Sequence, residues 1–136
     1  MKQYFILILF YSILICKSNA QMPEVEIMNS DKIKSVKLYQ QNNQESLPII
    51  NLNSADLLEL HFDDLDGYIK NYYYTFQLCN ADWGDANMNS FDYIKGFTQN
   101  RIIQARPSSN TQTKYIHYQV TLPEKNCIPT KSGNYY

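Results

Sequence analysis

The sequence predicts an all-β protein with the architecture of an immunoglobulin-like β-sandwich. Residues 57–62, 72–78 and 115–122 alternate between apolar and polar side chains, and a period of two is typical of strands with one buried face. No segment shows the 3.6-residue period of an amphipathic helix. Short alternating runs separated by frequent turn residues are the pattern of a sandwich.

The first twenty residues have the features of a signal peptide. Lys2 precedes an apolar run that only Ser12 interrupts, and small residues at Ser18 and Ala20 predict cleavage between Ala20 and Gln21. The run is shorter than the roughly 20 apolar residues that span a bilayer. A lipoprotein signal is excluded because the residue before Cys16 is a bulky isoleucine.

We therefore expect an exported, soluble protein with a signal peptide at residues 1–20, a leader at 21–32 and one domain at 33–136. Lys2 and Lys17 leave with the signal, so ten basic residues remain against 13 acidic ones. With more acidic than basic residues, the mature chain has no basic patch of the kind that binds nucleic acid. Lys34 and Lys37 suit a charged edge strand, which discourages unwanted pairing.

The strands are predicted in order along the chain. They lie at residues 33–39, 47–52, 57–62, 72–78, 91–94, 101–104 and 115–122, and a last strand begins at residue 132. Polar connections are expected at 63–70, 82–90, 106–114 and 123–131. Pro48 marks the second strand as an edge or an entry point.

The alternation also predicts which side chains face the core. The inward set comprises Leu58, Leu60, Phe62, Tyr72, Tyr74, Phe76, Ile116, Tyr118 and Val120. A slip of one residue in any of these strands would expose its whole apolar face. Tyr73 falls on the opposite parity and is therefore expected at the surface.

The turn that follows residues 72–78 holds the candidate partner-binding residues. Asn80, Asp82 and Gly84 supply turn chemistry around Trp83, the only tryptophan of the chain. A large indole in a turn either covers the end of the core, here beside Leu78, or presents itself to a partner. In the second case Trp83 is the anchor, with Asn80, Asp82 and the exposed Tyr73 as its polar and aromatic surroundings.

Other side chains that carry chemistry in many proteins do not form a reactive site here. Asp63, Asp64 and Asp66 precede Gly67, but the glycine falls at the wrong position for an EF-hand loop, so a turn with solvated carboxylates is predicted. His61 and His117 fall on the solvent parity with no nucleophile beside them. No cofactor or metal is expected, and nothing in the sequence specifies a reaction.

Two cysteines remain after the predicted cleavage, Cys79 and Cys127. An exported protein can form a disulfide, and these two residues allow a single intrachain pairing. The alternative is two free, partly buried thiols, because the sequence alone does not establish disulfide geometry.

Several segments, in order along the chain, resemble a single family. They are residues 46–52 (SLPIINL), 60–66 (LHFDDLD), 71–83 (NYYYTFQLCNADW), 93–102 (YIKGFTQNRI), 115–123 (YIHYQVTLP) and 132–135 (SGNY). Together they resemble the first domain of the type IX secretion system plug proteins of the Bacteroidota. The resemblance covers about residues 33–136. Cys127 and the irregular segment 106–114 depart from the family pattern.

The resemblance implies a periplasmic protein with no catalytic site to carry over. In that family the plug closes the periplasmic end of a very large outer-membrane β-barrel translocon when no cargo occupies it. The implied partner is thus an outer-membrane barrel, and the protein would associate with the membrane through that partner without inserting. Family members continue well beyond SGNYY. That agrees with a last strand that Tyr136 leaves incomplete, so the chain is expected to be the N-terminal part of a longer protein.

Two alternatives come from different classes of protein. A carbohydrate-binding sandwich would suit export, the abundant tyrosine and Trp83, but it needs several aromatic side chains on one exposed face. An accessory domain of a secreted hydrolase is the other alternative. Sequence downstream of Tyr136 would separate them, because a catalytic domain would favour the accessory role and further β sequence the plug.

Overall fold

The computed structural model describes residues 31–136. The predicted signal peptide, its cleavage site at Ala20 and Gln21, and all but the end of the leader lie outside these residues. The described part is built from β-strands and one short 3₁₀ turn, Ser90–Asp92, and it contains no α-helix. Within it, no helix has the length and apolar character needed to cross a membrane.

The strands follow one another at short intervals. Their bounds are β1 Ile33–Gln40, β2 Leu58–Asp64, β3 Tyr72–Tyr74, β4 Leu78–Cys79, β5 Ile94–Gly96, β6 Asn100–Ile102, β7 Gln104–Pro107, β8 Ile116–Leu122, β9 Cys127–Pro129 and β10 Asn134–Tyr135.

One layer of the fold is a four-stranded antiparallel sheet in the order β1-β2-β8-β7. β2 and β8 pair along their whole length, from Leu58 opposite Leu122 to Asp64 opposite Ile116. β1 is an edge strand, and both Lys34 and Lys37 are exposed on it. The predicted charged edge is therefore confirmed.

The second layer consists of three two-stranded antiparallel ribbons, β3–β6, β4–β10 and β5–β9. Its apolar side chains pack on the sheet around a core of Phe62, Ile102, Ile116, Tyr118, Val120 and Leu122. Leu58, Leu60, Tyr72, Tyr74 and Phe76 pack against that core while Tyr73 is exposed. The all-β sandwich and the predicted inward faces are confirmed.

A smaller cluster fills the space between the ribbons. Leu78, Tyr93, Ile94 and Cys127 are buried there, with Tyr135 packed against them. Gly96 lets β5 approach the chain before β9, because a Cβ at this position would lie 2.2 Å from the carbonyl oxygen of Asn126. Its φ of +100° is also one that residues other than glycine rarely adopt.

The predicted strand at residues 47–52 is wrong. This segment is part of the loop from residue 41 to residue 57, and it pairs with no strand of the described chain. Local contacts hold it: the N–H of Ile49 donates to the carbonyl of Leu47, and the side chain of Gln40 donates to the carbonyl of Ile49. The apolar side chains that predicted a strand are exposed instead.

Other boundaries differ because the chain changes layers. The predicted strand at 101–104 is two strands, β6 in the second layer and β7 in the sheet, which meet at the exposed Ile103. The predicted strand at 72–78 divides into β3 and β4 because the first pairs with β6 and the second with β10.

Three further predictions differ from the structure. Residues 91–94 do not form a strand, because the side chain of Asn89 accepts the N–H of Phe91 and starts the 3₁₀ turn; β5 begins only at Ile94. The predicted connection at 123–131 contains β9, in which Cys127 pairs with Gly96. The polar connection at 106–114 begins later than predicted, since β7 extends to Pro107.

Candidate functional site

The turn between residues 80 and 85 is held by backbone hydrogen bonds. The N–H of Trp83 donates to the carbonyl of Asn80 over 3.0 Å, and the N–H of Asn80 donates to the carbonyl of Gly84 over 2.8 Å. Cys79 forms a bridge with Asp85 at the base of the turn. This arrangement makes the turn a small, closed hairpin that extends β4.

Side chains add a second set of bonds to the same turn. The Asn80 amide donates to the carbonyl of Asp85 over 3.0 Å, and the amide of Asn134 in β10 donates to the carbonyl of Asn80 over 3.1 Å. The N–H of Gly84 donates to Asp82 Oδ1. The side chain and carbonyl of Asn80 therefore hold the turn in its conformation and position Trp83.

Trp83 projects from this rigid turn. Its side chain is 43% exposed, and it belongs to neither buried cluster. Its φ of 64° lies in the left-handed region, which is costly for a residue with a large side chain. Leu78 is itself buried, 7% exposed, and its cluster partners are Tyr93, Ile94 and Cys127. Strain of this sort is found most often where the side chain has a function.

The surroundings of the indole are acidic. Asp82 and Asp85 are both exposed, and among residues 31–136 neither carboxylate has a cation within salt-bridge distance. Gln77 donates to Asp85 from the neighbouring strand over 2.9 Å. The turn therefore presents one aromatic ring beside two carboxylates.

Tyr73 lies on a different ribbon from the turn. It is 54% exposed on β3, directly opposite Arg101 of β6. The structure therefore brings Asn80, Asp82 and Trp83 together in one turn and places Tyr73 apart from them.

The two cysteines are free and buried in the structure. Cys79 belongs to the β4–β10 ribbon and Cys127 to the β5–β9 ribbon. Burial raises the pKa of both thiols, and Asp85 adds to the effect at Cys79. A disulfide between them stays a prediction.

Asp64, the last residue of β2, is buried where a turn with solvated carboxylates was predicted. Asp64 is 0% exposed, and its Oδ2 atom lies 2.8 Å from both the Lys70 ammonium and the Tyr72 hydroxyl. Its Oδ1 atom accepts the N–H of Asp66 over 2.9 Å. Lys70 also pairs with Asp66. Of the three aspartates at residues 63–66, only Asp66 is exposed as predicted.

The electrostatics of Asp64 follow from these contacts. Burial by itself would raise the pKa of this carboxyl group, but the hydrogen bonds from Lys70, Asp66 and Tyr72 outweigh it and lower the pKa. Burial and the same carboxylate raise the pKa of Tyr72 to about 12. Asp64 therefore acts as an ionised structural group under the sheet.

The two histidines lie on the outer face of the sheet, on the parity that the sequence predicts, and they also contact each other. His61 Nδ1 and His117 Nε2 are 3.1 Å apart across β2 and β8. His117 Nδ1 lies 2.7 Å from Asp63 Oδ1, and the ring of Tyr39 stacks on His61. The group ties three neighbouring strands together on the outer face of the sheet.

The remaining features are the acidic and histidine side chains as a group and the surface groove. Among residues 31–136, no group of three or more His, Cys, Asp and Glu side chains is placed to hold a metal ion. An open groove of about 590 Å³ runs past Ile103, Val120 and Lys125, and neither histidine lines it. The turn around Trp83 remains the best candidate site, and it is suited to contact a partner.

Sequence reasoning missed Asp85 and Asn134 as parts of this turn. Asp85 had a usable signal, because it lies one residue beyond the turn that begins at Asn80 and can pair across it. Asn134 is 54 positions away from Asn80, and only the pairing of β4 with β10 reveals it. The histidine pair also had a signal, since both residues share the solvent parity of strands that were predicted to be long.

Comparisons with known proteins point to one family. Residues 33–136 match the family described as "Type 9 secretion system plug protein 1st domain". A crystal structure of a hypothetical protein from Parabacteroides merdae is similar, with a TM-score of 0.75 and 32% sequence identity. The match covers 79% of this chain and 27% of that one, so the chain spans about a quarter of that relative. None of the curated proteins matches.

Proposed function

Because the chain belongs to the family of type 9 secretion system plug proteins, we propose that it closes the periplasmic end of an outer-membrane translocon barrel. Family membership makes it a component of secretion, in a family that is not one of enzymes. We propose a more specific role. The protein is a periplasmic plug at the inner face of the outer membrane, and it catalyses no reaction.

The single observation that carries the proposal is the family match over residues 33–136. The exposed turn supports it, because a rigid scaffold that presents an aromatic ring loses little conformational freedom on binding. Trp83 with a polar rim of Asp82 and Asp85 resembles the energetic centre of many protein interfaces. We place the barrel contact at this turn, with Tyr73 as a separate and weaker contact.

A carbohydrate-binding role has less support. Such a role needs several aromatic side chains on one exposed face, yet Tyr72 and Tyr74 point into the core and Tyr73 alone faces outward from β3. The accessory role depends on sequence downstream of Tyr136, where a catalytic domain would favour it over the plug.

The experiment replaces Trp83 by Ala in the full-length protein of the native cell. The variant should keep its melting temperature and lose co-purification with the outer-membrane barrel, because the indole is a contact and not a core residue. The matched control is Phe91→Ala, which removes another exposed aromatic ring and should leave co-purification intact.

Two results would contradict the assignment. If Trp83→Ala lowers the melting temperature sharply, the indole stabilises the domain. If neither Trp83→Ala nor the double variant Trp83→Ala/Tyr73→Ala changes co-purification, these residues do not contact the barrel. Wild-type protein that never co-purifies with a barrel would overturn the plug function itself.

A further inference from the structure

The failed strand prediction at residues 47–52 identifies an uncovered apolar surface. In this loop Leu47 is 70% exposed and Ile49 is 64% exposed, and Leu52 is exposed as well. The run LPIINL has the composition of a buried element, but within the described chain only Ile50 is half-buried. Large apolar side chains exposed in a group, as opposed to singly, mark interaction surfaces.

The loop is continuous with exposed apolar residues of the edge strand. Val36 is 61% exposed and Leu38 is also exposed on β1. Two residues after Leu38, Gln40 binds the loop twice: its N–H donates to Ser46 Oγ and its side chain donates to the carbonyl of Ile49. We define the β1 edge patch as Val36, Leu38, Leu47 and Ile49.

The patch lies where the second layer of the sandwich ends. Leu38 pairs directly opposite Leu60, so both side chains face the same side of the sheet. Leu60 packs against the core, but Leu38 does not belong to it. Ile33 at the start of β1 still packs against the core, so the apolar inner face extends beyond its cover only towards Leu38.

The geometry of β1 favours packing of side chains over the addition of a strand. Its register shifts between Lys34 and Lys37, and Ser35 has a φ of 55° within that irregularity. A bulge and exposed lysines both discourage pairing with another strand. An occupant of the patch is therefore expected to cover Leu38 and Ile49 from the inner face.

We propose that the β1 edge patch is the docking surface for the domain that follows this one in the full-length plug protein. The matched family is described as a first domain, and the chain covers only 27% of the similar Parabacteroides merdae protein. A neighbouring domain in the same polypeptide is present at high effective concentration, so a contact with a few apolar side chains is enough to hold it on such a surface. This explains why the segment keeps a core-like composition.

The inference is separate from the barrel contact. The patch consists of β1 and the loop before β2, whereas the Trp83 turn extends β4 in the second layer. One surface would thus join the domains of the protein, and the other would meet its partner.

Hydrogen–deuterium exchange on the full-length protein tests the proposal. Backbone amides of residues 49–52 should exchange at least about tenfold more slowly in the full-length protein than in the 136-residue chain, because docking restricts local opening. The polar loop at residues 109–113 is the internal control and should exchange equally in both. Equal exchange at residues 49–52 would overturn the proposal.

A variant removes the apolar contact without touching the core. In the full-length protein, Leu47→Ser/Ile49→Ser should abolish the extra protection of residues 49–52 and speed proteolysis between the domains. Phe91→Ser, equally exposed but distant in sequence, should do neither. If the protection of residues 49–52 from exchange survives the double substitution, the proposal is contradicted. It is also contradicted if the 136-residue chain forms a dimer that the same substitution dissociates. Neither readout involves the barrel, so this result is independent of the plug function.

Discussion

Two turns of similar composition have opposite environments in this domain. Residues 63–67 (DDLDG) begin with the last two residues of β2, and residues 80–84 (NADWG) follow β4. The first was predicted to be solvated, yet Asp64 is completely buried. The second contains the largest apolar side chain of the chain, yet Trp83 remains exposed.

The difference comes from residues that are distant in sequence. Tyr118 in β8 accepts the N–H of Lys70 over 2.7 Å and donates to its carbonyl over 3.1 Å, which fixes the connection over Asp64. At the other turn, Asn134 binds only the backbone of Asn80 and Ala81 and leaves the indole uncovered. Turn composition predicts that the chain reverses, whereas burial depends on what the rest of the fold places over the turn.

The largest expected effect comes from replacing Asp64 by Ala. This change removes a buried acceptor of three hydrogen bonds and leaves Lys70 and Tyr72 without a partner for those bonds, so it should lower the free energy of unfolding by about 3–5 kcal/mol. Urea denaturation measures the loss. Asp82→Ala in the exposed turn is the matched control and should change stability by less than about 0.5 kcal/mol. Similar losses in both variants would remove the contrast between the turns.

The pH dependence of stability should show the same contrast. The folded protein lowers the pKa of Asp64 below its usual value, so the unfolded chain binds this proton first as the solution is acidified. The stabilisation is complete above the unfolded pKa of about 3.9 and is lost as pH falls through the folded pKa. Melting temperatures from pH 6 to pH 2 should fall less steeply for Asp64→Asn than for the wild type, and an equal slope would contradict the assignment.

A smaller effect is expected at Trp83. Glycine adopts a φ of +64° without strain, so Trp83→Gly should leave stability unchanged or raise it by up to about 1 kcal/mol. Trp83→Ala keeps the strained conformation and should show no gain. Thermal unfolding of both variants makes the comparison. A clear loss in Trp83→Gly would mean that the indole packs on the domain after all.

How far sequence reasoning succeeded depends on the range of the interactions involved. The inward faces of β2, β3 and β8 followed from alternation alone, because one buried face imposes a period of two. The loop at residues 47–52 looked like a strand because its apolar residues suit burial, but Leu47, Ile49 and Leu52 are exposed among the described residues. Alternation places His61 and His117 on the same face, but their contact also depends on the register of β2 against β8, which no local pattern supplies.

The smallest effect concerns the two cysteines, of which Cys79 begins the exposed turn and Cys127 lies in the interior. Both are buried with raised pKa values, so neither thiol should react with a disulfide reagent at neutral pH while the protein is folded. In denaturant without reductant, two thiols per mature chain should then react with the reagent. Denatured protein treated with reductant is the control for the full count. Rapid reaction of one thiol in the folded protein would show that the turn opens at Cys79. If the denatured protein shows no thiol before reduction and two after it, the two cysteines form a disulfide.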